Sequence, residues 1–255
     1  MRAIASGVSL AEALHMDFRI VWLVNWEIRA RFDEIFEVPE SLKGKFIYPS
    51  SLAYSLLYSI PRKKNFYVSA LTLKRFKGVF LDNSGDIEVS VSQIEGNNRK
   101  DYFIQAGTIF HDFSRELYQS LFHPLPEIQG RIDADKALLG KDYIGVHIRR
   151  TDNKESISHS PNSLFFEEID KLPPARIYLA TDDEETKALF KERYCDRVRF
   201  MTHPADRNSL DGIKDAIVDL WLLSGSKNMI GSYYSSFTDA TPLLGDCKLT
   251  IAYKE

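Results

Sequence analysis

From Tyr143 to the C terminus, short apolar runs alternate with helical stretches so regularly that one kind of architecture is indicated. Tyr143–Ile148, Arg176–Ala180, Arg197–Met201, Lys227–Gly231 and Lys248–Ala252 read as strands. Helices are predicted between them, over Asn162–Lys171, Asp183–Arg193, Asp211–Ser224 and Ser235–Leu244. Pro173-Pro174 stops the first, because proline cannot continue a helix. Asp183, Glu184 and Glu185 open the second, where the helix dipole favours acids. Strands alternating with helices at this spacing mean βαβ units with right-handed crossovers, hence an α/β domain built on a parallel sheet.

Polar residues fall where those strands stop. The first ends in His147, Arg149, Arg150 and Asp152. The second ends in Thr181, Asp182 and Asp183, and the fourth in Gly231 and Ser232, with Ser235 and Ser236 opening the next helix. Open α/β sheets bind ligands at the carboxyl ends of their strands. Two adjacent arginines suit an anion, since guanidinium forks match phosphate oxygens. A serine-opened helix N-terminus suits one too. Each motif alone has a blander reading: Arg149 or Arg150 as a surface ion pair with Asp152, and Asp183 or the serines as ordinary caps. Their convergence on one sheet edge is what favours a site.

The segments HIRRTD (147–152), YLATDD (178–183), NSLDGIKDAIVDLWLLS (208–224) and GSYYSSF (231–237) resemble the C-terminal domain of the fucosyltransferase superfamily. That superfamily includes the α1,6-fucosyltransferases, the rhizobial nodulation fucosyltransferases and the protein O-fucosyltransferases. The resemblance covers roughly residues 143–240. It implies a GT-B-like fold of two Rossmann-like domains, with GDP-fucose as donor substrate and no cofactor or essential metal. By position it implies that Arg150 binds the β-phosphate and stabilises the leaving diphosphate, while Arg149, His147 and Asp152 shape the donor site. Asp182 and Asp183 would lie near guanine and ribose, Asp219 would hydrogen-bond the nucleotide, and Ser235 and Ser236 would bind diphosphate oxygens. A fixed cation is what such a reaction needs where charge develops on the leaving group. For Asp219, among Ile217, Val218, Leu220 and Trp221, an exposed helix face is the plain alternative.

The chain departs from the best-known members after Asp152, where many have lysine and this sequence has Asn153-Lys154-Glu155. Glu155 is a candidate acid/base partner for an acceptor hydroxyl, against the reading of a solvated loop carboxylate. His159 is a similar candidate. Bacterial relatives begin with a strand and a Gly-Gly-Leu-x-Asn-Arg-Leu loop ahead of a helix. Here a small-residue helix over Arg2–Leu14 starts the chain, so the first strand and glycine loop are expected to be missing. Exposed strand edges would then favour a homo-oligomer. Two alternatives stay open: a transferase using another nucleotide sugar, or a truncated, non-catalytic nucleotide-binding remnant. An unrelated doubly wound domain holding some other phosphate is a third.

The N-terminal half has weaker signals. Phe18–Val24 reads as a strong strand, and Phe46–Tyr48, Phe66–Val68, Val79–Leu81, Ile87–Val91 and Tyr102–Gln105 as short ones. Asp112–Phe122 reads as a helix and Ile128–Leu139 as a linker helix, which sets domains at 1–135 and 136–255. Trp22, Trp26, Phe32 and Phe36 fit a core better than a sugar platform. At 255 residues both domains can build cores. A net charge of −3 argues against a broad nucleic-acid footprint. Cys195 and Cys247 show no metal-binding spacing and are read as reduced thiols. No apolar run is long enough for a transmembrane helix, and the first segment, without a basic stretch ahead of an uninterrupted apolar run, is not expected to be a signal peptide. The expected setting is bacterial glycan biosynthesis in the cytoplasm or at a membrane periphery, with a glycan or glycolipid acceptor that the sequence leaves unidentified.

Overall fold

A computed structural model describes the chain except at residues 26–27, 61–66, 77, 83–86, 96–100, 152, 204–205 and 207. It divides into two compact units, Met1–His123 and Pro124–Glu255. The boundary lies ahead of the 135/136 division expected from sequence. The reason is helix α1 (Pro126–Leu139), which packs on a later helix of the second unit instead of acting as a free linker.

The second unit is a five-stranded, wholly parallel sheet. Its strands are β1 (Ile144–Ile148), β2 (Ile177–Thr181), β3 (Val198–Arg199), β4 (Asn228–Ser232) and β5 (Lys248–Ala252), in spatial order β3-β2-β1-β4-β5. β1 is central, with His147 level with Ala180 on β2 and Gly231 on β4. Helices α2 (Lys154–His159), α3 (Asn162–Asp170), α4 (Glu184–Tyr194), α5 (Leu210–Ser224) and α6 (Ser236–Leu244) fill the connections.

Alternation along β1 sends Ile144, Val146 and Ile148 to one face. There they join Ile177, Leu179 and Val198 from neighbouring strands and Phe165, Ile169 and Phe190 from α3 and α4, all buried. Each such buried phenylalanine or isoleucine contributes about 1.5–3 kcal/mol through burial. The opposite face admits close helices through missing side chains. A methyl at Gly145 would sit 2.7 Å from Ser226 Oγ, and one at Gly231 would sit 2.2 Å from Thr238 Cγ2 on α6. These two glycines set how near the α5 and α6 segments lie to the strand ends.

The first unit has more fragmentary pairing. Gly78–Leu81 pairs in parallel with Tyr102–Gln105, and Ile20–Val21 with Phe46–Ile47. The strand expected over Phe18–Val24 is thus only two residues long. Ile87–Val91 is no strand: a short helix spans Val91–Glu95, and Val89 and Ile94 are buried with Leu10 and Phe110 against the first helix, Arg2–Ala13. The helix expected from Asp112 starts at Arg115, capped by Ser114. Phe32 and Phe36 are core, in ring contact with each other and with Phe122. Trp22 packs edge-on to Phe32 and donates its indole N–H to Ala30 O at 2.9 Å. Trp26 and Phe66 lie outside the described residues. Among the described residues no helix is long and apolar enough to cross a membrane.

Candidate functional site

The strand order reverses direction between β1 and β4, since β2 and β3 lie to one side and β5 to the other. A crevice at such a switch point is where open α/β sheets hold ligands. The polar residues singled out from sequence gather there, around the ends of β1 and β4.

His147 is the last inward residue of β1 on the α6 face. It is buried, its Nδ1 lies 2.8 Å from Thr238 Oγ1, and its ring lies 4.9 Å from that of Phe237. Arg149 follows, donating its backbone N–H to Ser232 Oγ at 3.0 Å, so the two switch-point strands are clasped at their tips. Its Nε stands 3.7 Å from Asp182 Oδ2, and its side chain keeps 18% exposure.

Arg150 is placed differently from what a phosphate-binding role requires. Its guanidinium donates from Nε (3.1 Å) and Nη2 to Asn162 Oδ1, from Nη2 to Ser160 O at 2.7 Å, and from Nη1 to Arg149 O at 3.0 Å. It also lies over the buried Phe165 ring at 5.8 Å. Burial pulls this guanidinium below the usual arginine range, opposed by Asp183 and Asp182. These bonds brace the turn after β1 from beneath. The fork is therefore largely engaged inside the protein.

Asp182 serves the same turn. One carboxylate oxygen accepts the Arg150 N–H at 2.8 Å, and the other accepts the Thr151 hydroxyl at 2.6 Å. Burial pushes its carboxyl up, but the Thr151 hydroxyl, the Arg150 N–H and the Arg149 charge outweigh that and hold it below the ordinary carboxylate range. Asp183 caps α4, accepting from Thr186 N at 2.8 Å and Thr186 Oγ1 at 2.6 Å. Asp152 lies outside the described residues.

On the other side of the switch point, Tyr234 adopts a left-handed conformation with φ of 52°. Such a conformation in a bulky residue is strained and persists only where surroundings hold it. Here Asn153 Nδ2 donates to Tyr234 O at 2.8 Å and Ser156 Oγ to Tyr233 O at 2.6 Å, while Tyr233 N donates to Ser160 Oγ at 2.9 Å. The turn leads into α6 at Ser235, a buried N-cap residue whose hydroxyl makes no cap hydrogen bond, followed by exposed Ser236. The first N–H groups of α6 thus open at the same edge as Arg149.

Asp219 is not an exposed helix residue. On α5 it faces the sheet and accepts from the Tyr178 hydroxyl at 2.5 Å. Burial raises its carboxyl to about 7; the Tyr178 hydrogen bond opposes this and the nearby Asp215 charge adds to it. Asp215 itself is ion-paired to Arg131, and its Oδ2 lies 2.9 Å from His203 Nδ1. Glu155 stands exposed in the first turn of α2, 3.6 Å from His159 Nε2 on the same helix face. Asn162, Thr151 and Thr238 carry hydrogen bonds of the site yet were not singled out in sequence. Ser232, expected at the end of the fourth strand, is its last residue and accepts the Arg149 N–H. A hollow of about 490 Å³ lined by Lys136, Gly140, Tyr143 and Gly225 lies at the opposite, amino-terminal edge and involves none of these groups. Among the described residues, no group of three or more His, Cys, Asp or Glu residues could hold a metal ion.

No protein-family model matches the sequence, and no curated protein sequence matches it. Solved structures do. The crystal structure of NodZ α-1,6-fucosyltransferase soaked with GDP-fucose aligns with a TM-score of 0.62 and 18% identity, over 95% of this chain and 87% of that one. Fucosyltransferase NodZ from Bradyrhizobium aligns at 0.60 and 20% identity with the same coverage. POFUT1 in complex with GDP aligns at 0.56 and 9% identity, over 98% and 93%. The chain therefore has the fold of these fucosyltransferases, an α/β architecture in which the five-stranded parallel sheet is one part.

Proposed function

We propose that the chain is a glycosyltransferase that moves fucose from GDP-fucose to a glycan or glycolipid hydroxyl by inverting displacement. The observation that carries the reading is the clasp at the switch point. Arg149, His147 and the amino end of α6 meet at one strand edge, in a fold shared with proteins solved with GDP or GDP-fucose. A guanidinium and a helix N-terminus are complementary to a diphosphate.

In this reading Arg149 is the cation for the diphosphate, and Arg150 is the residue that positions it. The geometry of Arg150 supports that division, because its donors face Asn162, Ser160 and the Arg149 carbonyl. The acceptor hydroxyl attacks the anomeric carbon as the bond from that carbon to the β-phosphate oxygen breaks. The electron pair leaves with GDP, whose added charge falls on Arg149 and the Ser235-Ser236 helix start. Asp219 accepts hydrogen bonds from the base. Glu155, paired with His159, takes the acceptor proton. Charge stabilisation comes from these groups without a metal ion or other cofactor.

Calorimetric titration with GDP, ADP and UDP, with and without EDTA, tests the donor site. The reading expects GDP-selective binding that EDTA leaves intact and Arg149→Ala reduces by on the order of 10²-fold or more. Tighter binding of UDP or ADP would instead assign another nucleotide sugar. No binding of any of the three would overturn the donor site.

A further inference from the structure

Beside the proposed donor edge lies an aromatic cluster that the phosphate chemistry leaves unused. The Tyr233 ring is centred 4.6 Å from that of Tyr253 and 6.1 Å from that of Tyr234. His159 lies 5.5 Å from each of Tyr233 and Tyr253, edge-on to the first and nearly parallel to the second. These rings are therefore one connected cluster. Tyr233 and His159 are half-buried within it, while Tyr234 is 71% and Tyr253 45% exposed. A large aromatic ring left in water forgoes the burial that usually holds it, so a cluster open on this scale marks a binding surface.

The fold fixes the rings before any ligand arrives. Tyr233 and Tyr234 follow β4, Tyr253 follows β5, and His159 ends α2. His159 Nδ1 lies 2.9 Å from Lys254 O, Lys254 N donates to His159 O at 2.9 Å, and Ser160 Oγ donates to Ala252 O at 2.5 Å. These bonds tie α2 to the end of β5, as Asn153 and Ser156 tie it to the turn at Tyr233 and Tyr234. Little conformational freedom remains to be lost on binding. The left-handed conformation at Tyr234 would be easier for asparagine or glycine, so the backbone gives no reason for a tyrosine there.

The neighbours of the cluster indicate its ligand. Glu155 is exposed and its Oε2 lies 3.6 Å from His159 Nε2, which sets a carboxylate at the rim of the rings. Ser235, which leads into α6, directly follows Tyr234. A pyranose matches this pattern. Its faces present C–H groups that pack on aromatic rings, and its edge presents hydroxyls that donate to a carboxylate. An acyl chain would offer the carboxylate nothing.

We propose that Tyr233, Tyr234, Tyr253 and His159 form the platform on which the acceptor oligosaccharide stacks, with its hydroxyls turned to Glu155. The platform's role as an acceptor site rests on the fucosyl-transfer reading above, in which Glu155 takes the acceptor proton; its affinity for sugar rings does not.

Saturation-transfer NMR of the full chain with cellotetraose and with maltotetraose, glucose oligomers that differ in linkage, tests it. At least one should take up saturation through its ring C–H protons. Tyr234→Asn and Tyr253→Ser together should weaken that binding about tenfold or more. Tyr234→Phe and Tyr253→Phe together keep the rings and should hold it within about threefold. If the Asn/Ser double variant fails to fold by circular dichroism, Tyr253→Ser alone decides, with a loss of about threefold or more. The platform is overturned if neither oligosaccharide binds, if the Asn/Ser variant binds as tightly as the unaltered chain, or if that variant loses affinity for GDP-fucose but not for GDP, which would assign the rings to the donor sugar. Calorimetry with GDP separates the two readings. GDP binding without binding of either oligosaccharide overturns the platform and leaves the donor site standing. Oligosaccharide binding that the Asn/Ser variant loses, in a chain that binds no GDP, keeps the rings as a glycan site and overturns the transfer reading.

Discussion

At the scale of single residues, Arg149 and Arg150 are indistinguishable in sequence and differently engaged in the fold. A pair of adjacent arginines at a strand end announced an anion site, but the engagement of the Arg150 fork depended on Asn162 and Ser160, residues brought in by folding. Arg150→Ala would leave Asn162 Oδ1 and the Ser160 carbonyl without their charged donor. It should cost roughly 1–3 kcal/mol of stability in denaturant unfolding. Asp219 was legible as a motif residue and illegible as a half-buried one, because its partner Tyr178 comes from a strand 41 positions away. Its carboxyl titrates at about 7 in the folded chain and near 4 when unfolded. Between those values the folded state holds the extra proton, so this group's contribution to stability falls as pH rises from about 4 to about 7. Asp219→Asn should therefore stabilise the protein by roughly 1–3 kcal/mol at pH 8 and by little at pH 4.5, read from unfolding curves at both. If Asp219 accepts from the nucleotide base, GDP affinity should rise with pH through 7, and the same substitution should flatten that dependence.

At the scale of elements, the alternation from Tyr143 onward located every strand of the parallel sheet, because the three central strands are buried apolar runs and the edge strands follow at the same spacing. Helix α2 escaped notice: its six residues, Lys154–His159, are polar and too short for a periodic signal. In the first unit the strands are two to four residues long, too short for alternation to show, and Ile87–Val91 read as a strand only because its apolar residues belong to a buried turn and a helix start. The contact between β4 and α6 makes a sharper prediction. Gly231→Ala would drive a methyl into Thr238, so α6 must shift and take His147's partner with it. About 1–3 kcal/mol of destabilisation is expected in chemical denaturation, together with weaker GDP binding. Ser156→Ala should be milder, near 1 kcal/mol, since it removes one hydrogen bond to the strained turn at Tyr233 and Tyr234.

At the scale of the molecule, residues 124–255 contain a sheet, the helices that fill its connections and the candidate donor site. Expressed alone, this segment should unfold cooperatively by circular dichroism and should still bind GDP in calorimetry; a molten, non-binding fragment would mean the first unit completes its fold. Sequence reading placed the division later than the structure does, because the packing of α1 on α5 leaves no mark in composition or periodicity. The strand order has one more consequence, for synthesis on the ribosome. β1 ends at Ile148 and sits between β2 and β4, but β4 begins only at Asn228, after β2, β3 and helices α2 to α5 have been made. The arginines and the serine-opened helix at the crevice therefore cannot meet until the chain has been made beyond Ser236. Nascent chains should pass through an interval with one side of β1 unpaired, and the nucleotide site should be acquired only when β4 closes it.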